Sequence, residues 1–211
     1  MLQTLPDGVT QFCKGESLEN YVKNQGILSE TDALRYIQQI SKALIEVHKK
    51  GLLHRDVKPG NIMLRSDRSQ AVLIDFGIVR EFTPDETKSH TAQLSDGFAP
   101  PEQYFRKRKR GAYTDVYATA ATLYFMVTGK MPPPALDRSD GEQLVSPKQM
   151  NVQISDRTNE AILKGMELEV SDQPQSMQEW LNLLESPKII TPPVKPVKAP
   201  KVPNHQQGNH G

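Results

Sequence analysis

The sequence predicts a mainly α-helical fold with one short β-hairpin, and three observations carry that expectation. "LSETDALRYIQQISKALIEVHKKG", from Leu28, sets Ala33, Leu34, Ile37, Ile40, Leu44, Val47 and His48 on one stripe at helical spacing. "TDVYATAATLYFMVTGK", from Thr114, is apolar nearly all round, which marks a helix buried on every side. Strand signal is sparse, confined to "NIML" and "AVLID" on either side of a polar turn at 65–70.

Taken in order, the first long helix has Ser29 or Thr31 available as its cap. Lys49 and Lys50 suit its C-terminal dipole, and Gly51 ends it. A polar loop and the hairpin follow, then the buried helix. "NEAILKGMEL" and "SMQEWLNLLE" read as two further amphipathic helices. From Ser186 the chain alternates Pro and Lys before turning polar. Repeated Pro removes backbone donors and fixes φ, so residues 186–211 read as an extended, disordered tail. Its bland reading is an inert tail, and its functional one is a ligand for a proline-reading domain or an acidic surface.

A chain of 211 residues suits one medium domain plus a tail. A net charge of +1 gives no global pull toward nucleic acid or anionic lipid. Cys13 is the single cysteine, so there is no disulfide framework within the chain and a reducing interior is the simpler expectation. The longest apolar stretch, "ATAATLYFMV", is far shorter than the roughly 20 residues that span a bilayer. "MLQTLPDG" does not read as a signal peptide. The default expectation is a cytoplasmic protein with no membrane partner.

The chemistry concentrates in "HRDVKPGN", His54 to Asn61, and in "DFG", Asp75 to Gly77. Two acids, an amide and a lysine brought together by a hairpin suit phosphoryl transfer. One carboxylate can accept a hydroxyl proton, and an Asn oxygen with a second carboxylate makes a hard ligand pair for Mg²⁺. The ammonium can offset charge on the moving group. Gly77 lets the backbone turn sharply after Asp75.

With "GFAPPE" (Gly97 to Glu102) and "YTDVY" (Tyr113 to Tyr117), these motifs follow the order and spacing of the C-terminal lobe of eukaryotic-type protein kinases. In style the chain resembles the bacterial serine/threonine branch, cyanobacterial kinases in particular. The resemblance implies Asp56 as catalytic base and Lys58 as the γ-phosphate contact. It implies Asn61 and Asp75 as Mg²⁺ ligands, Met63 as the floor under adenine, and Cys13 in the adenine-binding hinge beside Phe12. Arg55 would meet a phosphate in the activation segment, where Thr83, Thr87, Ser89 and Thr91 are candidate acceptors. Ser95 would face Asp56, His54 and Phe76 would stack in an internal column, and Asp115 would hold the catalytic loop. Lys58, two residues after Asp56, implies serine/threonine specificity.

Two departures qualify that picture. No G-x-G-x-x-G precedes Asp56, so the resemblance implies a C-terminal lobe at 15–185, a hinge and small-lobe remnant at 1–14, and a small lobe largely absent. ATP and Mg²⁺ would then bind weakly, and turnover would be slow or nil. A separate chain supplying the small lobe, or a protein that binds the tail, joins a Ser/Thr-bearing protein substrate among the expected partners. The alternative reading is a non-catalytic, pseudokinase-like scaffold. The second departure is Gln173, where the family has an Arg that pairs with the acid at Glu102; Gln173 is expected to offer Glu102 one amide hydrogen bond instead.

"RKRKR", Arg106 to Arg110, reads first as a solvated loop, with substrate steering as the lesser option and nucleic acid not expected. His48, His90, His205 and His210 form no metal spacing.

Overall fold

The computed structural model describes residues 15–75, 80–81 (backbone only), 97–105 and 107–185. Expectations placed on 1–14 (Phe12 and Cys13 included) fall outside those residues. So do those placed on Phe76, Gly77, Thr83, Thr87, Ser89, His90, Thr91, Ser95 and Arg106, and on the tail 186–211 with His205 and His210.

The elements run β1 (Gly15–Ser17), α1 (Leu18–Gln25), α2 (Glu30–Lys49), β2 (Leu52–Leu53), β3 (Ile62–Arg65), β4 (Ala71–Leu73) and β5 (Arg80–Glu81). They continue with α3 (Pro101–Tyr104), α4 (Ala112–Thr128), α5 (Ala135–Ser139), α6 (Pro147–Met150), α7 (Asp156–Gly165) and α8 (Met177–Leu184). Four helices begin on a serine whose hydroxyl accepts a backbone N–H from the first turn: Ser17 for α1, Ser29 for α2, Ser155 for α7 and Ser176 for α8. Each such cap stabilises its helix by about 1 kcal/mol.

The core forms around α4, in which every residue from Thr114 to Val127 is buried. Two of its threonines are satisfied within the helix: the Thr119 and Thr122 hydroxyls donate to the Asp115 and Ala118 carbonyls at 2.6 and 2.8 Å. α2, α7 and α8 pack around it. Trp180 of α8 is fully buried, and its indole N–H donates to the Ala161 carbonyl at 2.8 Å. Gly129 closes α4 in the left-handed region at φ 68° and returns its N–H to Phe125 O.

Along α2 the expected Ala33, Ile37, Ile40 and Leu44 are buried, and Tyr36 and Ser41 join them. Leu34, Val47 and His48 lie half-buried at the margins of the stripe. Tyr36 enters the core because its hydroxyl finds the Arg68 carbonyl at 2.8 Å.

The hairpin forms as expected, with Ile62, Met63 and Leu64 paired to Leu73, Val72 and Ala71. It is not alone. β1 pairs antiparallel with the other edge of β3, giving a three-stranded sheet of order β1-β3-β4. "GES" carries no alternating pattern, so β1 is invisible to periodicity. A Cβ at Gly15 would stand 1.8 Å from Leu64 O, so glycine is what permits the approach. β2 pairs with β5 in a second, two-stranded sheet. Among the described residues no helix is long and apolar enough to cross a membrane.

Candidate active site

The loop from His54 to Asn61 leaves β2 and enters β3 of the three-stranded sheet through one 3-10 turn at Pro59–Asn61. Three elements hold it. From α4, Asp115 Oδ2 accepts the His54 backbone N–H at 2.9 Å and Oδ1 accepts that of Arg55 at 2.8 Å. From α3, Gln103 Nε2 donates to the Arg55 carbonyl at 2.7 Å. From α2, His48 Nε2 lies 2.7 Å from Asp115 Oδ2 and so braces the carboxylate.

This grip explains a strained backbone. Arg55 has φ 65° and Asp75 has φ 67°, a region that side-chain-bearing residues reach at a cost of about 1–3 kcal/mol. Both backbone polar groups of Arg55 are clamped by side chains, which over-determines the conformation. Asp75 follows a residue fastened the same way: Ile74 N–H donates to Asn61 O at 2.9 Å, and Ile74 O meets His54 Nε2 at 3.2 Å.

His54 is the pin of the site. Fully buried, it takes the Asp56 backbone N–H on Nδ1 at 3.3 Å, which leaves Nε2 as the protonated nitrogen donating to Ile74 O. Burial pushes the imidazole below its ordinary value, against the opposing pull of Asp115. A neutral ring with this tautomer satisfies both bonds.

On this frame Lys58 Nζ lies 3.0 Å from Asp56 Oδ2. Asn61 Nδ2 donates to the Asp56 carbonyl and to Oδ2, both at 2.8 Å. The amide's Oδ1 is then the end left for a cation, and Asp75 is exposed one residue beyond the Ile74–Asn61 bond. Two hard oxygen donors fit Mg²⁺, which takes one or two protein ligands and completes its shell with water and phosphate oxygens. Met63 is half-buried on β3 between Ser17 and Val72. Arg55 is half-buried beside Asp56.

Glu102 corrects one expectation. Its Oε1 accepts the Thr114 hydroxyl at 2.8 Å, and its Oε2 is buried without a partner. Gln173 does not reach it: Gln173 Nε2 donates to the Glu167 carbonyl at 2.6 Å, and its own Oε1 is buried and unpartnered. A neighbouring backbone carbonyl outcompetes a carboxylate that the short amide fails to meet. Burial pushes the Glu102 carboxyl above its ordinary value, with Thr114, Arg110 and Arg108 working against that rise.

Sequence reasoning missed Gln103, Thr114 and His48 as supports. A His at helical spacing ahead of the loop and a Thr beside Asp115 were legible, but their partners lie up to 67 residues away.

Comparison with known proteins adds independent observations. Residues 9–187 match the family model described as protein kinase domain. The chain is 32% identical over 189 residues to serine/threonine-protein kinase B of Synechocystis sp., covering 85% of this chain and 32% of that protein. It is 39% identical over 125 residues to serine/threonine-protein kinase F of Synechocystis sp., covering 58% of this chain and 25% of that protein. The solved apo form of PpkA-294 superposes with a TM-score of 0.70 at 27% identity, covering 83% of this chain and 62% of that one. The chain thus spans about a quarter to a third of the length of these curated relatives.

Proposed function

The chain belongs to the protein kinase domain family, serine/threonine kinases by its relatives, and on that premise we propose that it carries the acceptor-side half of a phosphoryl-transfer site acting on protein Ser/Thr hydroxyls. The observation that carries the reading is the Asp56–Lys58–Asn61 cluster, held within 3.0 Å and pinned beside Asp75 by His54.

Asp56 accepts the proton of the incoming hydroxyl. Asn61 fixes the Asp56 carboxylate by its amide N–H, which orients it for the acceptor hydroxyl. Lys58 neutralises negative charge next to Asp56 and contacts the transferred group. Asn61 Oδ1 and Asp75 would hold Mg²⁺, and Met63 would support the base of the nucleotide. ATP with Mg²⁺, when bound, supplies the phosphoryl group and the charge compensation for its transfer. We take residues 15–185 as the unit that carries these groups. With no G-x-G-x-x-G within the chain ahead of Asp56, we expect weak nucleotide binding and slow turnover from this polypeptide by itself.

The test is transfer of labelled phosphate from ATP to a Ser/Thr-bearing protein by the whole chain and by Asp56→Asn. The expected result is slow transfer reduced about 10²–10⁴-fold by the substitution. Transfer equal in both proteins would overturn the assignment of Asp56. No transfer from either would favour the second reading, a non-catalytic interaction protein on the same fold.

A further inference from the structure

The loop joining α3 to α4 gathers a positive charge that the rest of the molecule does not share. Five consecutive cations, Arg106 to Arg110, sit in a chain whose net charge is +1. Lys107, Arg108 and Lys109 are exposed, and among the described residues none of the three is in an ion pair. The loop is also built. The Arg108 guanidinium lies 4.8 Å from the centroid of the Phe105 ring, itself 46% exposed, and Arg108 N–H donates to Phe105 O at 3.2 Å. Tyr113 hydroxyl donates to Lys109 O at 2.9 Å. A Cβ at Gly111 would meet the Tyr113 ring at 2.5 Å, so glycine lets that ring pack under the loop.

Its position gives the charge a use. Arg110 Nη2 reaches the Gln103 carbonyl at 3.5 Å, and the Gln103 amide is the group that holds the Arg55 carbonyl at 2.7 Å. Two hydrogen bonds therefore separate the basic loop from the residue next to Asp56.

We propose that Lys107, Arg108 and Lys109, with the Phe105 ring, form a docking edge for acidic protein segments, which would present a Ser or Thr to Asp56 and Asp or Glu side chains to the loop. The proposal takes the acceptor site from the phosphoryl-transfer reading, but the binding it asserts is measurable without transfer. Residues 107–110 span at most roughly 14 Å, about four residues of an extended peptide. Nucleic acid fits less well: among the described residues of the loop the one exposed aromatic, Phe105, is already stacked by Arg108, which leaves no row of platforms for bases.

The experiment is fluorescence anisotropy on the full chain at low and at physiological salt. The probes are a labelled Ser-containing peptide bearing four Asp/Glu residues, its Asn/Gln counterpart, and a single-stranded oligonucleotide of equal charge. A variant carrying Lys107→Glu, Arg108→Glu and Lys109→Glu is compared with a control carrying Lys42→Glu, Lys130→Glu and Lys164→Glu, three exposed lysines elsewhere. The expected result is acidic-peptide binding at least tenfold weaker in the loop variant, less than twofold weaker in the control, and absent for the Asn/Gln peptide. Thermal unfolding is expected to match wild type in both variants. Equal loss in the two variants, no acidic-peptide binding by wild type, or tighter loop-dependent binding of the oligonucleotide would each overturn the proposal. If the loop dependence holds while phosphoryl transfer is nil, the docking edge stands and the catalytic reading falls. If transfer is seen but peptide binding ignores the loop, the reverse is true.

Discussion

Asp115 grips the backbone N–H of His54 at 2.9 Å across 61 residues of sequence, and the loop from His54 to Asn61 takes its shape from that bond and its neighbour at Arg55. Asn at this position keeps the volume but offers one acceptor oxygen where two N–H donors wait. Leaving one buried donor unsatisfied costs about 1–3 kcal/mol. Asp115→Asn is therefore expected to lower Tm by several degrees, at about 2–4 °C per kcal/mol for a domain of this size. His48→Ala removes a brace from the carboxylate without orphaning a backbone donor, and its drop in Tm is expected to be smaller. Thermal unfolding of both variants checks the order.

Glu102 sets a pH dependence of one sign. Its folded carboxyl titrates above the ordinary 4.5 because it is buried, so the folded chain binds this proton more tightly than the unfolded one. Stability from this group falls as pH rises above 4.5. Glu102→Gln keeps an oxygen for the Thr114 hydroxyl and removes the charge. We expect the variant to melt higher than wild type at neutral pH, with the gap closing as pH approaches 4.5. A gap independent of pH would contradict the burial argument.

Glu30 works in the opposite direction. Burial pushes this carboxyl up, but hydrogen bonds from the Ser155 hydroxyl and N–H and from the Thr158 hydroxyl outweigh it and hold it below 4.5. The clamp ties the start of α2 to the start of α7. Its stabilisation is present above the ordinary value and is lost as pH falls through the folded one. Glu30→Gln is expected to lower Tm at neutral pH and to converge with wild type in acid, as read by unfolding curves at several pH values.

Gly165 lets α7 close on α4 and α8. A Cβ there would stand 2.6 Å from Ala120 Cβ and 2.7 Å from Trp180 Nε1. Gly165→Ala improves helix propensity by up to about 1 kcal/mol, whereas overpacking costs about 1–3 kcal/mol. Packing is expected to win, with a net fall in Tm and reduced protection of the Trp180 indole N–H in hydrogen exchange. A raised Tm would show that α7 shifts freely.

What the sequence showed and what it hid divide by range. The α2 stripe, the all-buried α4 and the hairpin are periodicities within a few turns, and "HRDVKPGN" is a contiguous motif. β1 was hidden because three residues have no period, and because its cause, Gly15 against Leu64 O, lies in the partner strand. Thr114 as the partner of Glu102 was hidden because the choice between it and Gln173 is made by reach, a property of the packed helices.

The hairpin turn is fastened to α2. Arg68 O receives Tyr36 Oη and Arg35 Nη1, and Ala71 N–H donates to Gln39 Oε1 at 2.7 Å. The strand pair leading to Asp75 therefore travels with α2 as one piece. Spin labels placed on the exposed Gln38 and Asp67 would keep a constant separation through any working cycle.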